Sequence, residues 1–205
     1  MGDDVTDVSR KSSPARWSLR GATSDAHQRL DAGIDRLSLS TGRDYRIFLR
    51  MSHPGSASVE MALTSFGIVQ TIVDWAERIR TSSLEEDLAG LGQPVAQPLS
   101  NLSFDNLPQV LGAAYVLEGS RLGARILLAR AMESDDPAIH DNTRYLRHGA
   151  GRPLWSTFVE VLEDQVKTEA DRDQARLGAL KTFDAFQRAI DLETPNTRRD
   201  EGEAA

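Results

Sequence analysis

The chain has 205 residues, 24 Lys and Arg against 31 Asp and Glu, a formal charge of −7 and 40% hydrophobic side chains. That is the size and balance of one ordinary globular domain, or at most two small ones. With no cysteine, disulfide scaffolds, zinc–thiolate and iron–sulfur centres and cysteine nucleophiles are excluded, and an acidic balance without a basic run, with 6% aromatics, speaks against a nucleic-acid partner.

Residues 1 to 15 are polar and open with Asp3, Asp4 and Asp7. They lack the basic-then-apolar order of a secretion signal, so a disordered tail on a cytoplasmic protein is expected. Apolar residues then recur at three- and four-residue spacing: Leu19, Ala26, Leu30, Ile34 and Leu37 mark a first helix that Gly42 follows. A second begins near Arg43 and meets Pro54 and Gly55, which predict a break. A third is expected from Ala57 to Arg80, and a short one from Leu84 to Leu91, with Ser82 or Ser83 as its cap and Gly92 as its stop. After Pro94 and Pro98, Ser103 or Asp105 is placed to cap a long helix through Met132. Asp135, Asp136 and Pro137 start another turn, and two further helices are predicted over 152–170 and 171–192. The longest uncharged stretches, 61–73 and 106–117, fall short of the roughly 20 residues a membrane span needs. The pattern predicts an all-α protein with one domain of seven to eight helices over 16–192, and 193–205 as a second disordered tail.

Two features carry possible chemistry. His27 lies three positions before Leu30 and seven before Ile34, which predicts an imidazole on the apolar stripe of the first helix, where it makes a core hydrogen bond or ligates something buried. Asp31 follows at i+4, in reach of the ring as an orienting carboxylate or else as a solvated charge. The second feature is the run 112–125, in which Gly119 and Gly123 stand one turn apart beside Ser120. Each interior helical glycine costs about 1 kcal/mol relative to alanine. Two of them either let another helix cross closely or leave main chain bare for a flat ligand. An imidazole on one helix and a bare surface on another would form a slot for a planar macrocycle, though periodicity does not say that the two helices face each other.

Three stretches carry a family likeness: Leu19, Arg20, Ala22, Thr23, His27, Leu30 and Asp31; then Tyr45, Phe48, Leu49, Glu60 and Leu63 followed by Trp75, Arg78, Arg80, Leu84, Asp87, Leu88, Leu91 and Gly92; then Tyr115 through Ser120 with Leu122 and Gly123, the most specific of the three. Trp155, Phe158, Phe183 and Phe186 add aromatics of the later helices. Over roughly residues 18 to 190 the sequence resembles the bacterial heme oxygenases, in particular the biliverdin-producing type associated with bacteriophytochromes.

The resemblance implies a heme-oxygenase-like helical bundle that takes heme as both substrate and cofactor. With O2 and external electrons it would release biliverdin, carbon monoxide and ferrous iron. His27 would be the proximal iron ligand, oriented by Asp31. Gly119, Ser120 and Gly123 would form a distal helix kinked to bring main chain over the porphyrin. Tyr115 and Arg16 or Arg20 would meet the propionates. No flavin or nicotinamide motif is present, so the resemblance implies a ferredoxin-like or other reductase as electron donor and a bacteriophytochrome as acceptor of the product. The alternative is a binding module of the same fold that holds heme or a bilin without turning it over. His53, in the Pro54–Gly55 break, reads either as a surface turn residue or as part of a distal water network, with Arg80 a weaker member. His140 and His148, in polar surroundings, are assigned no role.

Overall fold

Helix formation in this chain is decided as much by remote caps as by local signals. The computed structural model describes residues 14–193, so the two expected tails lie outside the described residues except for Pro14, Ala15 and Glu193. Eight α-helices are present: α1 (Ala15–Ile34), α2 (Gly42–Phe66), α3 (Thr81–Gly90), α4 (Leu107–Met132), α5 (Pro137–Asp141), α6 (Arg144–Arg147), α7 (Leu154–Gln165) and α8 (Glu169–Glu193). Two single 3-10 turns, Ile68–Gln70 and Trp75–Glu77, connect α2 to α3. No strand occurs among the described residues, and the all-α expectation holds. No described helix is long and apolar enough to cross a membrane.

The break expected at Pro54 and Gly55 does not occur. α2 runs through both residues, although the proline supplies no N–H for the Arg50 carbonyl. Packing outweighs that loss. Every residue from Met51 to Glu60 is buried, and the ring of Phe186 on α8 lies where a Cβ on Gly55 would stand, 2.6 Å away. The helix instead stops at Gly67, whose φ of +91° is a left-handed cap that alanine would resist. The single helix expected over 57–80 is therefore the end of α2 and the two 3-10 turns.

Neither serine caps α3. The carboxylate of Glu60 on α2 reaches its start, accepting from the N–H groups of Arg80 and Thr81 at 3.0 Å each. In the same way Glu163 of α7 accepts from the first N–H groups of α1, Ala15 at 2.8 Å and Arg16 at 3.0 Å. A carboxylate at a helix N-terminus satisfies orphan donors and complements the dipole. For α4 the cap is Asn106, which accepts from Gln109 N at 3.0 Å, rather than Ser103 or Asp105.

α4 and α8 form the closest crossing in the bundle. A Cβ on Gly112 would stand 1.9 Å from the Ala175 carbonyl oxygen, and one on Gly178 would stand 2.0 Å from that of Gln109. These two glycines let the helix backbones touch. Around the crossing lies one apolar core, with Leu111, Ala114, Leu117, Phe158, Leu162 and Ala179. A second core joins the first half of α2 to α3, α5, α6 and the last turns of α4, through Leu49, Leu84, Leu88, Ala124, Ala131 and Ile139. α4 spans both.

The loop between α6 and α7 is tied to α4 by Arg121, whose guanidinium donates to His148 Nδ1 at 2.9 Å. Accepting there requires a neutral imidazole. Burial, followed by the charges of Arg121, Arg80 and Arg152, pushes the His148 pKa down from 6.5 to about 4. The unfolded chain therefore binds a proton between pH 6.5 and 4 that the folded chain refuses, and stability falls as pH drops through that window. His148→Gln will flatten that part of the stability curve, measured as the urea midpoint against pH. Gly112→Ala, by contrast, will cost about 3 kcal/mol at any pH in urea unfolding, because its methyl meets backbone that cannot move aside.

Candidate functional site between α1 and α4

α1 rests on α8, with Arg176 donating to Ser18 Oγ at 2.7 Å. It buries only Ala15, Leu19 and Thr23 fully, while Ala26 and Leu30 pack partly against the core. His27 sits one position round from that stripe, and its side chain is 61% exposed. The expectation of a core imidazole is corrected accordingly: α8 covers the 19–23–26–30 line, and among the described residues the neighbouring line that carries His27 is left largely open. The ring stands beside Phe183 of α8, with centroids 5.9 Å apart at a 60° tilt. Asp31 meets it directly, Oδ2 to Nδ1 at 2.7 Å. A proton held on Nδ1 by that carboxylate leaves Nε2 as the lone-pair nitrogen, and Nε2 has no partner among the described residues.

On α4 the two alternatives for the glycines separate cleanly. The close helix crossing falls at Gly112. A Cβ on Gly123 would meet no atom within 4 Å, and one on Gly119 would meet only the Trp155 ring at an ordinary 3.6 Å. Gly123 is thus bare main chain, and Gly119 has room for a side chain beside the Trp155 ring, so that among the described residues no backbone crossing requires either glycine. α4 is continuous through them. Beside them Leu122 and Ile126 are 53% and 67% exposed. They form an open apolar strip with the glycines. Ser120 does not turn a free hydroxyl outward: it donates to the Leu117 carbonyl at 2.7 Å and accepts from Arg80.

On either side of this strip α1 and α4 act on each other, through charge at one end and hydrogen bonds at the other. At one end Tyr115, half-buried against Trp155 with ring centroids 5.5 Å apart, has its hydroxyl pKa raised by burial and drawn back by the charges of Arg20 and Arg16. Those two arginines stack over Trp17 at 5.5 and 4.8 Å. Neither has an anionic partner among the described residues. At the other end Arg130 of α4 donates to Asp35 Oδ1 at 2.9 Å and to the Leu37 carbonyl at 2.7 Å, just past the end of α1. His27 lies between the α1 anchors, and Gly119 to Gly123 lie between the α4 anchors. Phe183, Leu122 and Ile126 were missed as site residues. For Leu122 and Ile126, 3 and 7 residues after Gly119, helical spacing was the available signal; for Phe183 on α8 there was none.

The other candidates lie elsewhere. His53 is neither a surface turn residue nor exposed: it is 1% exposed in mid-α2, with Nε2 3.2 Å from Glu85 and no partner for Nδ1. Arg80 is buried, donating to Ser120 and lying 4.6 Å over the Tyr145 ring. His140 and His148 are half-buried rather than exposed. A groove of about 650 Å³ runs between the C-terminal part of α2 and the loop 98–104, lined by Met61, Phe66, Leu99 and Phe104 among others; it holds none of the candidate residues. Among the described residues no cluster of three metal-ligating side chains occurs.

No family model matches the chain. It is 31% identical over 150 residues to a heme oxygenase of Xanthomonas campestris pv. campestris, covering 73% of this chain and 90% of that protein. It is 29% identical over 177 residues to the heme oxygenase PigA of Pseudomonas aeruginosa, covering 83% and 86%. Its fold matches the NO- and CO-bound heme oxygenase of Neisseria meningitidis with a TM-score of 0.70 at 19% identity, over 95% of this chain and all of that one. With sequence likeness over most of its length and the same helical fold, the chain belongs to the heme oxygenase family.

Proposed function

We propose that this protein is a biliverdin-producing heme oxygenase that binds heme between α1 and α4. The observation that carries the reading is the pairing of an oriented, unpartnered imidazole nitrogen with two glycines that no helix contact explains. The residues fit heme. His27 Nε2 is the iron ligand and Asp31 holds the tautomer by accepting the Nδ1 proton. Gly119 and Gly123 let the opposite face of a planar ring approach main chain, and Leu122, Ile126 and Phe183 supply apolar surface for its body. Arg16, Arg20 and the Tyr115 hydroxyl supply donors and positive charge for its carboxylates.

Bound heme supplies the iron that takes up and activates O2, and its own ring is then opened to biliverdin with loss of carbon monoxide and ferrous iron. The protein's contribution is mostly what it withholds. The small residues of α4 offer no bulky acid or base over the iron, and the Ser120 hydroxyl is already committed to Leu117 and Arg80. Protons therefore reach the site through water rather than from a side chain of this helix. No redox-active side-chain pair is available in a chain without cysteine, so electrons come from a ferredoxin-like or other reductase. The catalytic unit is residues 16–192, acting in the cytoplasm. A bacteriophytochrome as acceptor of the bilin rests on the sequence resemblance alone.

Hemin added to the purified protein will give a histidine-type Soret band and, with ascorbate or a ferredoxin system, bilin absorption. His27→Ala will abolish both and His140→Ala neither; equal behaviour of the two variants would refute the ligand assignment. Gly123→Leu will separate stability from function. With nothing near its Cβ, it will raise the urea stability of the ligand-free chain by up to about 1 kcal/mol through helix propensity. Hemin affinity will drop at least about tenfold, a loss of about 1.4 kcal/mol. Unchanged binding and product would remove the distal role of α4.

A further inference from the structure

Between the two apolar cores α4 has no apolar anchor. Its buried hydrophobic side chains end at Leu117 in the first core and resume at Ala124 in the second, so the bare segment from Gly119 to Gly123 lies in the interval. Charge fills that interval on the side away from the bare face. Glu118 is 0% exposed. Its Oε2 lies 3.1 Å from Arg78 Nη1 and 3.1 Å from Arg121 Nε, and Oε1 lies 3.3 Å from Arg121 Nη2.

Both guanidiniums are themselves fixed by other elements. Arg78 donates to the Leu154 carbonyl and to Thr157 Oγ1 of α7, each at 2.8 Å, and forks onto Asp74 at 2.7 and 2.9 Å. Arg121 donates to the Arg78 carbonyl and to His148. The side chains flanking Gly119 and Ser120 are thus bolted to α7, to the second 3-10 turn and to the loop before α7. Directional bonds of this kind fix rotation and height where apolar contacts permit sliding.

We propose that the Glu118–Arg78–Arg121 network is the positioning device of the distal helix: it sets the height and rotation of the bare Gly119–Gly123 main chain, and through them the ring carbon at which heme is opened. Glu118, Arg78 and Arg121 act through the helix and touch no substrate. The second half of this inference rests on the heme reading above; the first half does not.

The asymmetry of the network gives the test its lever. Arg78 keeps Asp74 when Glu118 is neutralised, whereas Arg121 makes no other ion pair among the described residues and is left with only the more distant charge of Glu60. A buried guanidinium left uncompensated must reach for solvent, and it carries the α4 segment with it. Glu118→Gln preserves shape while removing the charge and one of the two acceptor oxygens. Gln109→Ala is the control, since Gln109 is buried in the first turn of the same helix, where it bonds Asp105 and Gln174, and it lies well away from the glycines.

The two variants are compared at urea concentrations that give them equal global stability. In the ligand-free chain, amide hydrogen exchange at residues 119–123 will rise at least about tenfold in Glu118→Gln and less than twofold in Gln109→Ala. In the hemin-loaded protein under turnover, the share of minor biliverdin isomers will rise at least threefold in Glu118→Gln alone, and Arg121→Met will reproduce both effects. Equal exchange at 119–123 in the matched variants overturns the proposal, since the network would then be a staple like any other. Raised exchange with an unchanged isomer pattern overturns the link to ring opening. Failure of the wild-type chain to bind hemin refutes the heme reading and the link with it, while the exchange arm still decides the positioning role.

Discussion

A helix that must offer bare main chain on one face has no side chains there to hold it by. That constraint organises α4 and much of what surrounds it. Its N-terminal half is keyed to α8 by backbone contact at Gly112 and Gly178, its C-terminal half ends in the second core, and the interval between is held from the opposite face by buried charge. Buried ion pairs contribute little net stability against well-packed apolar groups. Their presence in this interval is better understood as directional: a leucine there would pack at any of several rotations, whereas a carboxylate between two anchored guanidiniums does so at one.

The glycines of α4 divide by what lies opposite them. Gly112 is small because another backbone presses on it. Gly119 and Gly123 are small although no backbone among the described residues presses on them, and the helix accepts the propensity loss. The same separation of roles appears on α1. Leu19, Thr23, Ala26 and Leu30 attach the helix to the bundle, while His27 and Asp31, on the adjoining line, are left outward and coupled to each other at 2.7 Å. α8 supports both helices, so the spacing between an imidazole and a bare backbone is set by a third element that contributes Phe183 but no ligand.

How far this was legible follows from the range over which each signal acts. The helical period, the start at Asp136 and the stop near Gly92 are local chemistry that the sequence reading found; it missed the cap at Asn106 and the stop at Gly67, drawing one helix over 57–80 where α2 ends and two 3-10 turns follow. It failed where a distant group intervened. Glu60 and Glu163 cap helices from other helices, which no local pattern announces. Pro54 passes through α2 because Gly55 admits Phe186, a contact between residues far apart in sequence. His53 read as a turn residue for the same reason and is instead buried beside Glu85.

The sequence by itself determined an all-α chain with an imidazole and a carboxylate one turn apart on α1 and a glycine-rich turn on α4, because i,i+4 geometry belongs to the helix and needs no partner. Only the tertiary structure decided that Gly112 serves packing and Gly123 does not, that His27 is outward rather than in the core, and that Glu118 and Arg121 face inward between two anchored neighbours. Those outcomes depend on which surface of each helix another element covers, and that is fixed by contacts between segments far apart in the chain, as with Arg78 and Glu118, 40 residues from each other.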